Sequence, residues 1–291
     1  MARPALVVRA RPLDFYKRGE CLRYGITAHD LGVVAQQEAH PSSHIRCACV
    51  DTTGDVAFNS PERDTRVRDE QAPEIPDYLQ DTYYWAYINP RNVRLLDREI
   101  VVRTILWQQH NRLQRLAFSE IEPGQQVMQP ASVYGSFGPN LARHVGPQGR
   151  VDIVDVARVQ VESTTRKLAP FPWARAHHAN CLDFHKGPFD AVVCYFLLHE
   201  VPDDVKRQVV NHLLRQVVPG GKVVFVDYAK PKWWHPLKLI TSIVFATLEP
   251  FAKGLWRNEI RDFADDAERF DWRRETIFGD LFQKVVATRK D

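Results

Sequence analysis

From Pro123-Gly124 onward, short apolar runs alternate with amphipathic stretches, the rhythm of strands and helices in turn. QQVMQPA predicts a first strand and NLARHV the helix after it; RVDIVDV and ARVQVESTTRKLA repeat the pair. ARAHHANC holds a third strand. PFDAVVCYFLLHEV is a fourth, and its long apolar run is that of a strand buried on both faces of a parallel sheet. DDVKRQVVNHLLRQVV predicts a helix ended by Pro219-Gly220-Gly221, and KVVFVDYA a fifth strand. RRETIFGD and FQKVVATRK predict a closing antiparallel pair. The expected fold class is therefore α/β: a doubly wound, Rossmann-like parallel sheet with a C-terminal antiparallel hairpin.

Before Pro123 the pattern differs. Residues 1–74 show no sustained period, and their polar, turn-rich segments predict a poorly ordered leader. Its Arg-rich start faintly suggests a mitochondrial presequence, against which Asp14 and Glu20 argue. A start codon set too far upstream would produce the same pattern. Residues 75–122 predict a helical cap, with Asp77 or Asp81 able to cap its first helix. After Pro90 a long helix is expected, its apolar stripe being Leu95, Leu96, Ile100, Val101, Ile105 and Leu106. Tyr83, Tyr84, Trp85 and Tyr87 either pack this cap on the next domain or cover a flat aromatic substrate.

Within the α/β domain, 123–291, residues 231–262 form an expected apolar lid. Leu239 to Leu248 carries no charge and is too short to span a bilayer. Flanked by Lys232, Trp233, Trp234, Lys238 and Trp256, it suits either an interfacial helix or one packed on the sheet.

Composition adds limits. A net charge of +3 over 291 residues is too small to argue for nucleic acid. Five cysteines, an odd number without C-x-x-C spacing, read as reduced thiols of a cytosolic protein. Seven tryptophans point to an apolar ligand pocket or a membrane-facing surface.

Ligands of such sheets sit beyond the carboxyl ends of the strands. The loop in VMQPASVYGSFG lies there; Gly135 permits a tight turn, Ser136 can cap the next helix, and Pro139 suits its first turn. Asp155, ending the second strand, can accept both hydroxyls of a ribose or cap a helix. Asn180 and Cys181 follow the third strand, where an adenine edge is read.

Asp155, FDAVV, LLHEV and PGGKVVFVD resemble the class I S-adenosylmethionine-dependent methyltransferases over roughly Gln125 to Asp227. That resemblance implies S-adenosyl-L-methionine as cofactor, with Gln129, Val133, Gly135, Asp155, Asn180 and Cys181 at its site. Gln129 stands where an acid is common and Val133 where a glycine is common. The cap from TYYWAYINP to LAFSEI, the VYG loop and LEPFAKGLWRNEI are similar to the rhodoquinone biosynthesis protein family. This implies conversion of ubiquinone to rhodoquinone, an amino group replacing a ring methoxy. S-adenosylmethionine is then the nitrogen source, helped by a divalent metal such as manganese (Mn2+). Reshaping the wall at Gln129, Val133 and Tyr134 would aim the cofactor's amino group, rather than its methyl, at the ring. Tyr134 and His199 are the expected catalytic residues; His199, Glu200 and Asp183 are candidate metal ligands. A polyprenyl quinone substrate implies a cytoplasmic protein peripheral on the inner membrane. An ordinary O- or C-methyltransferase of a quinone or phenol, and a non-catalytic quinone-pathway binding protein, remain open alternatives.

Overall fold

In the computed structural model, residues 73–291 are described, together with the strands Ala48–Val50 and Val56–Phe58. The chain divides into two units, 1–70 and 71–291. In the first, the two short strands pair antiparallel; the leader expected over 1–74 otherwise lies almost wholly outside the described residues. The second unit carries a seven-stranded sheet. Its strands are β1 (Gln126–Gln129), β2 (Arg150–Asp155), β3 (Ala174–His178), β4 (Phe189–Tyr195), β5 (Val217–Tyr228), β6 (Phe270–Ile277) and β7 (Phe282–Arg289). The order is β3-β2-β1-β4-β5-β7-β6. β1 to β5 pair in parallel, and β7 lies antiparallel between β5 and β6.

Alternate side chains of each strand point to opposite faces, so the sheet builds two cores. Val127, Ile153, Val193 and Val224 face one of them with Phe137 and Leu141; Met128, Val154, Val192 and Phe225 face the other with Leu213. Apolar runs without polar alternation are thus explained by burial on both sides.

The helices are α1 (Asp77–Tyr83), α2 (Pro90–Leu96), α3 (Glu99–Ile105), α4 (His110–Phe118), α5 (Phe137–Val145), α6 (Arg158–Leu168), α7 (Asp203–Arg215), α8 (Lys238–Thr247) and α9 (Gly254–Arg257). A π-helical turn, Tyr84–Ile88, follows α1, the Asn89 N–H reaching back to the Tyr84 carbonyl at 3.0 Å. Neither Asp77 nor Asp81 caps α1: Pro76 holds that position and Asp77 is the first helical residue. Asn89 caps α2 instead, its side chain accepting from the Arg91 N–H at 3.0 Å, with Pro90 in the first turn.

The long helix expected after Pro90 is three helices, α2 to α4. At the first break Asp97 turns its carboxylate to the Gly135 N–H, 2.8 Å away, and to Lys167. At the second, Trp107 and Gln108 adopt left-handed φ of 50° and 62°. The predicted stripe does not hold as one face: Leu95, Ile100 and Ile105 are exposed, Leu96 and Val101 half-buried and only Leu106 buried, while Val93 and Val102, outside the stripe, are buried. α7 ends at Arg215; Pro219-Gly220-Gly221 lies within the β5 span, with Gly220 at φ 74°. α8 is two-sided. Thr241 and Phe245 are buried, Phe245 lying 5.0 Å from the Tyr228 ring and 5.4 Å from Trp256. Leu239, Ile240 and Ile243 are exposed. Among the described residues no helix is long and apolar enough to cross a membrane.

Candidate functional site

Two cavities meet at the carboxyl ends of the parallel strands, sharing Tyr87, Ala131, Ser132 and Glu200. The first holds about 610 Å³, its open mouth included. Asp155 reaches it from the end of β2. One of its oxygens accepts from the Ala157 N–H and the other from the Ser132 N–H, both at 2.8 Å. Backbone amides therefore aim the carboxylate, and each oxygen keeps a lone pair for a ribose hydroxyl. Burial pushes the Asp155 pKa up to about 6, against the pull of those same amides. Asn180 caps the turn Cys181–Asp183 by accepting from the Leu182 N–H at 3.0 Å, which leaves its NH2 for a ligand. Asn180 and Cys181 both line this cavity, with Leu79, Leu197 and Val201 as apolar walls. A diol acceptor, an amide and apolar walls are the donor set an adenosine requires, so these residues fit S-adenosylmethionine.

Other expected cofactor residues lie elsewhere. Gln129 is buried in β1, donates to the Ala131 carbonyl at 2.6 Å and lines neither cavity; its Oε1 has no partner among the described residues. Gly135 also lines neither. Its φ is 75°, its N–H is taken by Asp97 and its carbonyl accepts from Lys167 at 3.0 Å. The glycine therefore fastens the loop to α6 and the cap. Ser136 precedes α5, but its hydroxyl donates to Glu99 at 3.1 Å and makes no cap. Val133 and Tyr134 face the second cavity.

That second cavity holds about 870 Å³, its open mouth included. Its wall includes Tyr195, Phe196 and Tyr228 from the sheet end, and Trp85, Tyr87 and Leu106 from the cap. Tyr134 stacks on Tyr87 with ring centroids 5.6 Å apart, donates to the Ala86 carbonyl and accepts from Gln160 at 2.9 Å. Its hydroxyl is thus spent on holding the π-helical turn.

His199 stands at the polar end, on the turn Leu198–Glu200 after β4. Asp227 fixes that turn: one oxygen accepts from the Leu198 and His199 N–H groups at 2.9 and 3.3 Å, and the other lies 2.9 Å from His199 Nδ1. His199 Nε2 lies 3.7 Å from Glu200 and 4.0 Å from Glu249. Tyr87 donates to Glu200, and Tyr83 to Glu249 at 2.7 Å. Burial pulls the His199 pKa down, but Asp227, Glu249 and Glu200 together outweigh it and push it up to about 9. Burial, with Glu249 beside it, pushes Glu200 up to about 8 while His199 pulls the other way. Burial also raises Glu249.

Asp183 is exposed after β3 and lines neither cavity, so His199, Glu200 and Asp183 do not assemble as metal ligands. Among the described residues no three His, Cys, Asp or Glu side chains form a group able to hold a metal ion. Manganese, implied by the resemblance, therefore has no ready-made ligand set here. Glu249 and Tyr83 were missed as polar partners of the site. The available signal was a lone carboxylate closing the uncharged run Leu239–Leu248.

The strand order and the closing antiparallel strand are those of the Rossmann-like methyltransferase fold. Residues 127–221 match the family described as methyltransferase domain. The chain resembles the ubiquinone/menaquinone biosynthesis C-methyltransferase UbiE of Haemophilus ducreyi, 27% identical over 55% of this chain and 60% of that protein. It also resembles the demethylmenaquinone methyltransferase of Beutenbergia cavernae, 30% identical over 52% of this chain and 60% of that one. An O-methyltransferase family protein from Burkholderia thailandensis shares the fold, with a TM-score of 0.52 at 16% identity over 71% of this chain and 64% of that one. The chain spans about three fifths of the length of the curated relatives it matches.

Proposed function

We propose that the chain holds S-adenosylmethionine in the first cavity and the ring of ubiquinone in the second. There a ring methoxy group is displaced as methanol by the cofactor's amine. The bond from that nitrogen to the cofactor's α-carbon then breaks by elimination, a β-proton passing to the nitrogen and an alkene remaining on the cofactor, giving rhodoquinone. The observation that carries this reading is the His199 imidazole at the polar end of the second cavity, its Nδ1 2.9 Å from Asp227 and its Nε2 3.7 Å from Glu200. Displacing a methoxy group expels a strongly basic leaving group, which must be protonated as its bond to the ring breaks. Carbon methylation instead sheds a proton from the ring and needs a base. At neutral pH His199 is an acid, and Asp227 steadies its charge. Positioned acids of this kind contribute about 10²- to 10⁴-fold. Glu249, next to it, suits the proton released as the C–N bond forms. When bound, S-adenosylmethionine supplies the nitrogen. Asp155 and Asn180 hold its adenosine, and Val133 and Tyr134 shape the wall against the ring.

Conventional C-methylation of a quinol is the second reading, favoured by the names of the matched relatives; Glu249 would then act as the base. The test is S-adenosylmethionine labelled with nitrogen-15 at the amine and carbon-13 at the methyl, incubated with a short-tailed ubiquinone with and without manganese. Mass spectrometry should find nitrogen-15 in the quinone with one methoxy lost. Carbon-13 in the product would establish the second reading. Cofactor binding without turnover in either condition would identify a non-catalytic binding protein.

A further inference from the structure

Around α8 the surface departs from that of an ordinary water-facing helix. Its outward side carries Leu239 at 72% exposure and Ile243 at 57%; Trp233 and Trp234, just before it, stand at 84% and 55%. Contiguous exposed apolar side chains on this scale mark a contact surface, and tryptophan is the residue most at home where water meets lipid. Charge is arranged around the same patch. Residues 230–257 hold five cations, Lys230, Lys232, Lys238, Lys253 and Arg257, against one carboxylate, Glu249. Glu249 is turned inward to Tyr83 and the second cavity. The surplus in this segment exceeds the +3 of the whole chain. None of the five has a carboxylate partner among the described residues, whereas Lys206, Arg207, Lys222 and Arg274 are all paired. Lys232 lies 5.8 Å over the Trp234 ring, which keeps a cation beside the aromatic patch.

We infer that the outer side of α8 and the Trp233-Trp234 turn dock on an anionic lipid surface, with the second cavity opening beside the headgroups. The inference rests on the quinone reading only for its purpose, delivery of a polyprenyl ring from the bilayer. Ten helical residues span about 15 Å, so α8 lies along the surface and does not cross it. Phe245 on its inner side touches Tyr228 in the cavity wall. On the cap side, the exposed Trp85 and Ile105 belong to the same cavity lining. A second copy of the chain would satisfy the apolar side chains but would set the five cations against their own kind; an anionic bilayer satisfies both.

The experiment is co-sedimentation of the whole chain with phosphatidylcholine vesicles, with and without phosphatidylglycerol. The protein should pellet with the anionic vesicles and be released by salt. Lys230→Gln, Lys232→Gln and Lys238→Gln should each weaken partitioning roughly fivefold. Trp233→Ser with Ile243→Ser should leave it in the supernatant. These side chains lie outside the cavities, so turnover of a short-tailed, water-soluble quinone should be unchanged. Sedimentation itself needs no turnover, and so it stands or falls apart from the assigned reaction. Failure to bind anionic vesicles, equal binding by wild type and variants, or a dimer abolished by Trp233→Ser in place of vesicle binding would overturn the inference.

Discussion

Asp155→Asn should separate ligand binding from stability. In the folded chain its two oxygens accept the Ala157 and Ser132 N–H groups at 2.8 Å each. An amide keeps one acceptor and turns a donor toward the other N–H. Burial, partly offset by those two N–H groups, raises the wild-type carboxyl from 3.8 to about 6. At about 1.4 kcal/mol per pH unit, keeping it ionised at pH 7 costs about 3 kcal/mol net of those hydrogen bonds, a cost the neutral amide does not bear. Urea unfolding at pH 7 should therefore find the variant more stable than wild type by up to about 3 kcal/mol, and the two close together near pH 4. The pH dependence has a definite sign. A carboxyl whose pKa rises on folding favours the folded state fully below its unfolded value, and loses that contribution as pH climbs through the folded one. From pH 4 to 7, wild type should therefore lose up to about 3 kcal/mol relative to Asp155→Asn. Binding behaves otherwise: the amide presents a donor to the ribose, and affinity for S-adenosylhomocysteine, measured by calorimetry, should fall about 100-fold. Unaltered affinity would refute the ribose contact. Identical pH profiles for the two proteins would refute the buried, strained carboxylate.

Two further substitutions probe the rest of the site. Gly135→Ala places a Cβ 2.9 Å from Glu99 at a φ of 75°; thermal melts should show about 1–2 kcal/mol of destabilisation, with cofactor affinity in the folded protein unchanged. Asp227→Asn should return the His199 pKa from about 9 toward 6.5, read by NMR titration of the ring. Because the wild-type value is raised on folding, its stabilising contribution is complete below pH 6.5 and lost as pH rises through 9; the variant should lack that alkaline loss.

The strands were legible because double burial writes long apolar runs, and the hairpin because β6 and β7 flank a compact turn at Phe278-Gly279-Asp280. That Asp155 and Asn180 line the strand-end cavity was legible because the parallel strands bring their carboxyl ends together. The cap helices were not: Leu95 to Leu106 keep a helical period, and the break comes from Asp97 meeting Lys167 and Gly135, contacts a local window does not contain. Gly135 turns the loop as expected, at φ 75°, but its contacts to Asp97 and Lys167 likewise lie outside any local window. Glu249 joins His199 only through the fold, held there by Tyr83 from 166 positions earlier.

The π-helical turn at Tyr84–Ile88 has an evolutionary consequence. Such a turn is an α-helix carrying one surplus residue, and each residue advances a helix by about 100°. Removing one residue from it would swing Tyr87 away from Glu200 relative to Tyr83, while the sheet and both strand-end carboxylates stayed in place. A single in-frame codon therefore separates a cap that clamps two glutamates from one that clamps a single glutamate. Gain or loss of that clamp is a one-step event within a lineage, open to a scaffold that already holds its cofactor.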